Sequence, residues 1–206
     1  KPMFICEYAH AMGHSIGNLK EYWDVMESST NGMGGCIWEW SDHALTLNDG
    51  DVKFYGYGGD FGDKVSYKNV CVDGVCSPDR RPRSAMLEMK NIYAPVFCSV
   101  VNNKPLEIKI DNRYNFKDLS ELKFVWSVSK NADVIESGEF SLNTPAESSE
   151  IIKPNFNYPE EGECYFTLRV YNEFTEPMYK FQTKLETKEE VVYIQSDKTI
   201  NVIEND

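Results

Sequence analysis

With 206 residues, 41% hydrophobic and 13% aromatic, the chain has the means to build a packed core and does not read as disordered. The formal net charge of −12, from 21 basic and 33 acidic side chains, argues against nucleic-acid or anionic-membrane partners, which need basic patches. No apolar run approaches the roughly 18 residues of a membrane-spanning helix, and the six cysteines lack the paired C-x-x-C spacing of a zinc site, so free, mostly buried thiols in a cytoplasmic protein are expected.

The first element is the apolar run Met3-Phe4-Ile5-Cys6, which reads as a short strand buried on both faces. Glu7 follows it directly. In barrels of parallel strands the C-terminal strand ends carry the chemistry, so Glu7 is a candidate catalytic carboxylate, with a capping or salt-bridged glutamate as the alternative. A glycine-containing loop comes next, with Ser15 as a candidate helix cap. Leu19, Tyr22, Trp23 and Met26 then recur at i, i+3, i+4 and i+7, predicting an amphipathic helix over 16–28. Asn31-Gly32 ends it, and 33–38 reads as a second buried strand. Strand, helix and strand joined by short turns form a βαβ unit, hence parallel strands.

Residues 41–82 are rich in Gly, Asp, Tyr and Pro and show little periodicity. Their aromatics Phe54, Tyr55, Tyr57, Phe61 and Tyr67 predict an ordered, packed loop, and Asp60, Asp63, Asp79 and Arg80 read as loop-ordering charges. Ser84 is expected to cap a last helix in which Met86, Met89, Ile92 and Tyr93 share a face, with Pro95 as its stop. From Phe97 the apolar period becomes two, as in Leu106-Glu107-Ile108-Lys109-Ile110 and in Phe124, Trp126 and Val128. Such strands, separated by Asn, Pro, Gly and Glu turns, predict an antiparallel immunoglobulin-like β-sandwich over 96–186. Residues 187–190 read as a charged linker, and 191–194 with 199–203 as a hairpin opening a further β domain.

Four stretches occur in order: Cys6-Glu7-Tyr8-Ala9-His10-Ala11-Met12-Gly13, Gly34-Gly35-Cys36-Ile37-Trp38-Glu39-Trp40, Tyr57-Gly58-Gly59-Asp60-Phe61-Gly62-Asp63 and Cys71-Val72-Asp73-Gly74-Val75-Cys76-Ser77-Pro78-Asp79-Arg80. Together they closely resemble lac-type β-galactosidases of glycoside hydrolase family 2. The resemblance covers residues 1–95 and implies an α+β chain: the C-terminal part of a (β/α)8 barrel, about a quarter of it, followed by the sandwich. It implies Glu7 as the nucleophile of a retaining hydrolase of β-D-galactosides, and an acid/base glutamate upstream of this chain. The chain alone is then expected to be inactive, and its parent a homo-oligomer.

Further roles follow from the same resemblance. His10 would bond sugar hydroxyls; a structural loop histidine, or a metal pair with His14, are the alternatives, although Gly13 argues against the helix such a pair needs. Trp38 would be an apolar platform under the galactose ring, with core packing as its alternative and as the default for Trp40. Asp73 and the backbone carbonyl of Val70 would hold a monovalent cation (Na+), with Asp73 also meeting a sugar hydroxyl, while the ligands of a Mg2+ ion lie mostly upstream. The sequence departs from the family at Val70, where an aromatic is usual, and at Asp73, where Asn is frequent. Two other readings are a non-catalytic sandwich module that binds sugar or braces subunits, and a family 2 hydrolase of different sugar specificity.

Overall fold

The computed structural model describes residues 1–13 and 16–188, and the chain divides into two compact units, Lys1–Ala94 and the residues from Pro95 onward. In the first unit, β1 (Met3–Tyr8) and β2 (Gly32–Ile37) pair in parallel, with Ile5 opposite Gly35 and Tyr8 opposite Ile37. Gly35 is required there: a Cβ would stand 2.7 Å from the Ile5 carbonyl oxygen, so any larger residue would prise the strands apart.

The crossover is α1 (Leu19–Ser28). Its start lies later than the expected residue 16, because Asn18 adopts a left-handed conformation, which Asn tolerates, and turns the chain into the helix. Ser15 lies outside the described residues. Leu19 and Met26 are buried and Trp23 packs against the same cluster, as the helical spacing predicts, while Tyr22 stays 46% exposed. The closing helix α2 (Ser84–Ile92) turns Met86, Met89, Ile92 and Tyr93 onto this cluster. Ser84 is its first helical residue and not its cap; Arg83 holds the cap position, its N–H bonded to the Val75 carbonyl at 3.0 Å. Tyr8 and Tyr93 share a hydroxyl–hydroxyl hydrogen bond inside the core, and the Tyr93 ring lies 4.6 Å from that of Trp23.

Only one face of the β1–β2 pair is covered by these helices. Met3 and Phe4 are more than half exposed, and Cys6 and Cys36 are exposed too, which corrects the expectation of burial on both faces. All six cysteines are free; Cys76, Cys98 and Cys164 are the buried ones, and burial pushes the Cys98 thiol up to about 12.

The stretch 41–82 is more structured than its composition implies. It holds a hairpin of β3 (Leu45–Asp49) and β4 (Val52–Gly56) turning at Gly50-Asp51, then two 3-10 turns, Gly58–Phe61 and Lys68–Cys71. Its aromatics are not packed as expected, since Phe54, Phe61 and Tyr67 are exposed.

The named strands of the second unit all pair antiparallel. β5 (Val96–Asn103), β6 (Leu106–Asn112) and β9 (Ser149–Ile152) form a three-stranded sheet in the order β5-β6-β9. β7 (Lys123–Lys130), β8 (Asp133–Phe140), β10 (Cys164–Tyr171) and β11 (Tyr179–Lys184) form a second, ordered β11-β10-β7-β8. The period-two pattern works as side chains alternate across a pleated strand: Leu106, Ile108 and Ile110 are buried between half-buried Glu107 and Lys109, and Phe124, Trp126 and Val128 are buried likewise. Tyr179 links the sheets by accepting the Cys98 N–H at 3.1 Å. At the C-terminal side, Thr187 donates to the Gly162 carbonyl and Lys188 bonds Glu160 and Gly162 through its backbone, so the stretch expected to begin a linker is tied to the unit as far as Lys188. The hairpin expected over 191–203 lies outside the described residues.

The Asn112 side chain makes four hydrogen bonds within this unit. Its amide donates to the carbonyls of Lys117, Thr144 and Pro145 at 2.8–3.0 Å, and its oxygen accepts the Tyr114 N–H at 2.9 Å. Asn112→Ala strands these groups in a site where Asn112 is 2% exposed, and we expect a loss of about 2–4 kcal/mol, read from the urea midpoint.

Candidate active site

β1 ends by sending adjacent residues to opposite sides. Tyr8 turns into the core, its hydroxyl committed to Tyr93. Glu7 points to the open side with its side chain 49% exposed. Ala9 takes a positive φ of 49°, redirecting the chain so that His10 Nε2 lies 3.4 Å from Glu7 Oε2. Trp38, just past β2, is fastened between the same residues: its N–H donates to the Tyr8 carbonyl and its carbonyl accepts the Ala11 N–H, both at 2.9 Å. The Trp38 ring is 38% exposed and its centroid lies 6.3 Å from that of His10. Trp40 is 60% exposed, contrary to the core position expected for it, because β2 ends at Ile37 and its alternation does not carry on.

The second wall comes from 71–76, which runs alongside 38–43. His43 N–H bonds the Cys71 carbonyl at 2.7 Å, Glu39 N–H the Asp73 carbonyl at 2.8 Å, Val75 N–H the Glu39 carbonyl at 2.9 Å and Cys76 N–H the Trp40 carbonyl at 3.1 Å. Gly74 makes this approach possible: a Cβ there would lie 2.2 Å from the Asp42 nitrogen and 2.5 Å from the carbonyl carbon of Ser41. Asp42, buried under the contact, accepts the Gly74 N–H at 2.8 Å and receives the guanidinium of Arg83, which also donates to the Gly74 carbonyl at 2.9 Å.

Asp73 is 1% exposed, and neither carboxylate oxygen has a hydrogen-bond partner among the described residues. Burial pushes its carboxyl above the ordinary range; the charge of His10 opposes this and Asp42 adds to it. His10 thus couples electrostatically to Asp73 on one side and contacts Glu7 on the other, bringing four of the sequence-derived candidates together. The fifth, Val70, is 50% exposed on the turn Lys68–Cys71, and no hydrogen bond or ion pair joins it to the other four among the described residues. The orphaned carboxylate of Asp73 suits a cation; nothing comparable marks Val70.

Glu39 was not singled out by the sequence. Its side chain is only 12% exposed, with Oε2 2.9 Å from His43 Nε2 and Oε1 buried without a partner. Burial raises its carboxyl above the usual range, His43 opposes, and Asp73 and Asp42 add to the rise. The one signal available was a carboxylate inside the apolar run Ile37-Trp38-Glu39-Trp40. Two of the acids read as ordering loops do so: Asp60 accepts the Tyr57 N–H at 2.8 Å, and Asp79, whose carboxyl is held far below the usual range by bonds from Ser77 and Tyr55, pairs with Arg81 at 2.8 Å. Arg80 donates to Ser41.

Residues 1–98 match the family described as glycosyl hydrolases family 2, TIM barrel domain, and residues 108–188 match β-galactosidase, domain 4. The chain belongs to glycoside hydrolase family 2. Within that family it is similar to proteins named β-galactosidase: 37% identical to one from Psychromonas ingrahamii over 81% of this chain and 16% of the relative, and 36% identical to one from Enterobacter cloacae over 82% and 17%. A third, from Leuconostoc mesenteroides, is 31% identical over 92% of this chain and 19% of its own length. The chain therefore spans less than a fifth of these curated relatives. A solved exo-chitosanase from Amycolatopsis orientalis is similar at 10% identity and a TM-score of 0.37 over 82% of this chain and 17% of its own, too loosely to bear on the site.

The Asp42–Arg83 pair sets the second wall. Arg83→Ala leaves a buried carboxylate without its cation and should cost about 3–5 kcal/mol by chemical denaturation, whereas Asp42→Asn combined with Arg83→Ala should recover part of that loss.

Proposed function

We propose that this chain supplies the nucleophile side of the active site of a retaining β-galactosidase, with Glu7 as the nucleophile. The observation that carries the reading is the placement of Glu7 at the C-terminal end of a parallel strand, open to solvent, with His10 at 3.4 Å and the Trp38 ring beside it. Glu7 attacks the anomeric carbon as the glycosidic bond breaks, and the leaving oxygen takes a proton from an acid that lies outside this chain. Water then hydrolyses the galactosyl-enzyme with that same group acting as base. His10 orients the Glu7 carboxylate and meets a sugar hydroxyl. The indole of Trp38 takes the apolar C–H face of the ring. Asp73, buried behind His10, acts on a further hydroxyl through a cation held on it, which would offer that hydroxyl an electrostatic anchor.

In the same reading, the parallel unit is the closing part of a (β/α)8 barrel and the antiparallel unit an immunoglobulin-like sandwich, supported by its division into three- and four-stranded sheets. The chain alone has no turnover, because the acid/base residue is missing. The alternative of a non-catalytic module is less well supported, since among the described residues the sheet unit offers no grouping comparable to Glu7, His10 and Trp38.

In the full-length enzyme, Glu7→Gln should lower kcat for a nitrophenyl galactoside by several powers of ten, and retention of more than about a tenth of the activity would refute the assignment. Trp38→Ala separates platform from core. With its ring open to solvent, Trp38→Ala should change stability by less than about 1 kcal/mol and cost about 1–3 kcal/mol in transition-state binding, read from kcat/KM. A core residue would show the reverse, about 3–5 kcal/mol of stability lost with kinetics intact in the folded fraction.

A further inference from the structure

A cleft of about 850 Å3 opens in the first unit, and Glu7, His10 and Trp38 are not among its lining residues. Its volume falls within the roughly 300–1,000 Å3 of small-molecule sites. The fold fixes its polar base, because buried Asp42 accepts the Gly74 N–H at 2.8 Å and the Arg83 guanidinium at 3.1 Å. Tyr55 and Tyr57 bring two half-buried aromatic rings to it, with the Tyr55 hydroxyl held by Arg81 at 2.9 Å. Asn69 uses one amide N–H on the Met12 sulfur, a weak acceptor at 3.4 Å, and keeps its oxygen. The first turns of α2 add the Ser84 hydroxyl and the Glu88 carboxylate, and neither side chain bonds another described residue.

These groups select a class of ligand. The charges of Asp42 and Arg83 cancel, which leaves that of Glu88 and disfavours phosphates and other anions. A cation is matched no better, since Glu88 is exposed and screened by water. Donors and acceptors mixed with aromatic rings suit hydroxyls, which do both, on a ring with apolar C–H faces. We propose that the cleft is a second saccharide site, separate from Glu7, that takes a neutral mono- or disaccharide. It goes beyond the proposed function, which uses none of the residues that line the cleft.

The test uses the full-length enzyme and radiolabelled methyl 1-thio-β-D-galactoside, a neutral glycoside whose sulfur link resists cleavage, counted by equilibrium dialysis. Wild type should bind two per chain. Tyr57→Ala and Glu88→Ala should each weaken one of them by about tenfold or more. Both variants should keep the wild-type melting midpoint, and KM for a nitrophenyl galactoside should stay within about twofold. Trp38→Ala should weaken the other copy. A single bound glycoside that is lost only with Trp38→Ala would overturn the proposal, as would two copies that survive both Tyr57→Ala and Glu88→Ala. Displacement of the second glycoside by an equal concentration of inorganic phosphate would overturn its neutral class. A single glycoside lost only with Tyr57→Ala and Glu88→Ala would uphold the cleft and count instead against the site around Glu7.

Discussion

The arrangement depends on one close approach, that of 38–43 to 71–76. Two stretches nearly thirty residues apart in the chain exchange backbone hydrogen bonds as if they were neighbouring strands, although neither is a regular strand along its length. The approach is steric at Gly74, where only a hydrogen fits against Ser41 and Asp42, and electrostatic at Asp42, whose buried carboxylate is tolerable because Arg83 and the Gly74 N–H meet it. Asp73 owes its position to that contact, whereas Trp38, at its edge, is held by its own backbone bonds to Tyr8 and Ala11. Without the approach Asp73 would belong to an unconstrained loop.

The same economy governs the end of β1. Tyr8 anchors the strand end to α2 through Tyr93, and this fixity lets Glu7, one residue earlier, face solvent without wandering. Side-chain alternation separates the two roles: one residue is held by the core and its neighbour is presented by it. Ala9, in a left-handed conformation, then breaks the alternation and brings His10 back towards Glu7. A continued strand would have carried His10 away.

What could be read from the sequence was whatever repeats. The buried faces of both helices followed from 3.6-residue spacing, the parallel pair from strand, helix and strand, and the alternating strands from period two, because each pattern is imposed locally by backbone geometry. The hairpin Leu45–Gly56 escaped because both its faces are largely exposed, so no apolar alternation marks it. Glu39 escaped for another reason. Its burial is created by residues of 71–76, and a carboxylate looks the same in a sequence whether water surrounds it or not. The helix starts were misplaced at Asn18 and Arg83, where backbone conformation and a long-range hydrogen bond, neither visible as a capping side chain, decide the boundary.

The excursion between His43 and Cys71 leaves and returns through a single gate, the 2.7 Å bond from the His43 N–H to the Cys71 carbonyl. Everything that fixes Trp38 and Asp73 lies on the near side of that gate; the hairpin and the two 3-10 turns lie beyond it. A loop whose ends are pinned can grow or shrink at small entropic cost, about 0.6 kcal/mol for each doubling of its length. Length variation between positions 44 and 70 is therefore decoupled from the geometry of the wall that carries Trp38 and Asp73. The stretch is evolutionary ground on which rim contacts can be rebuilt while the residues beneath keep their places.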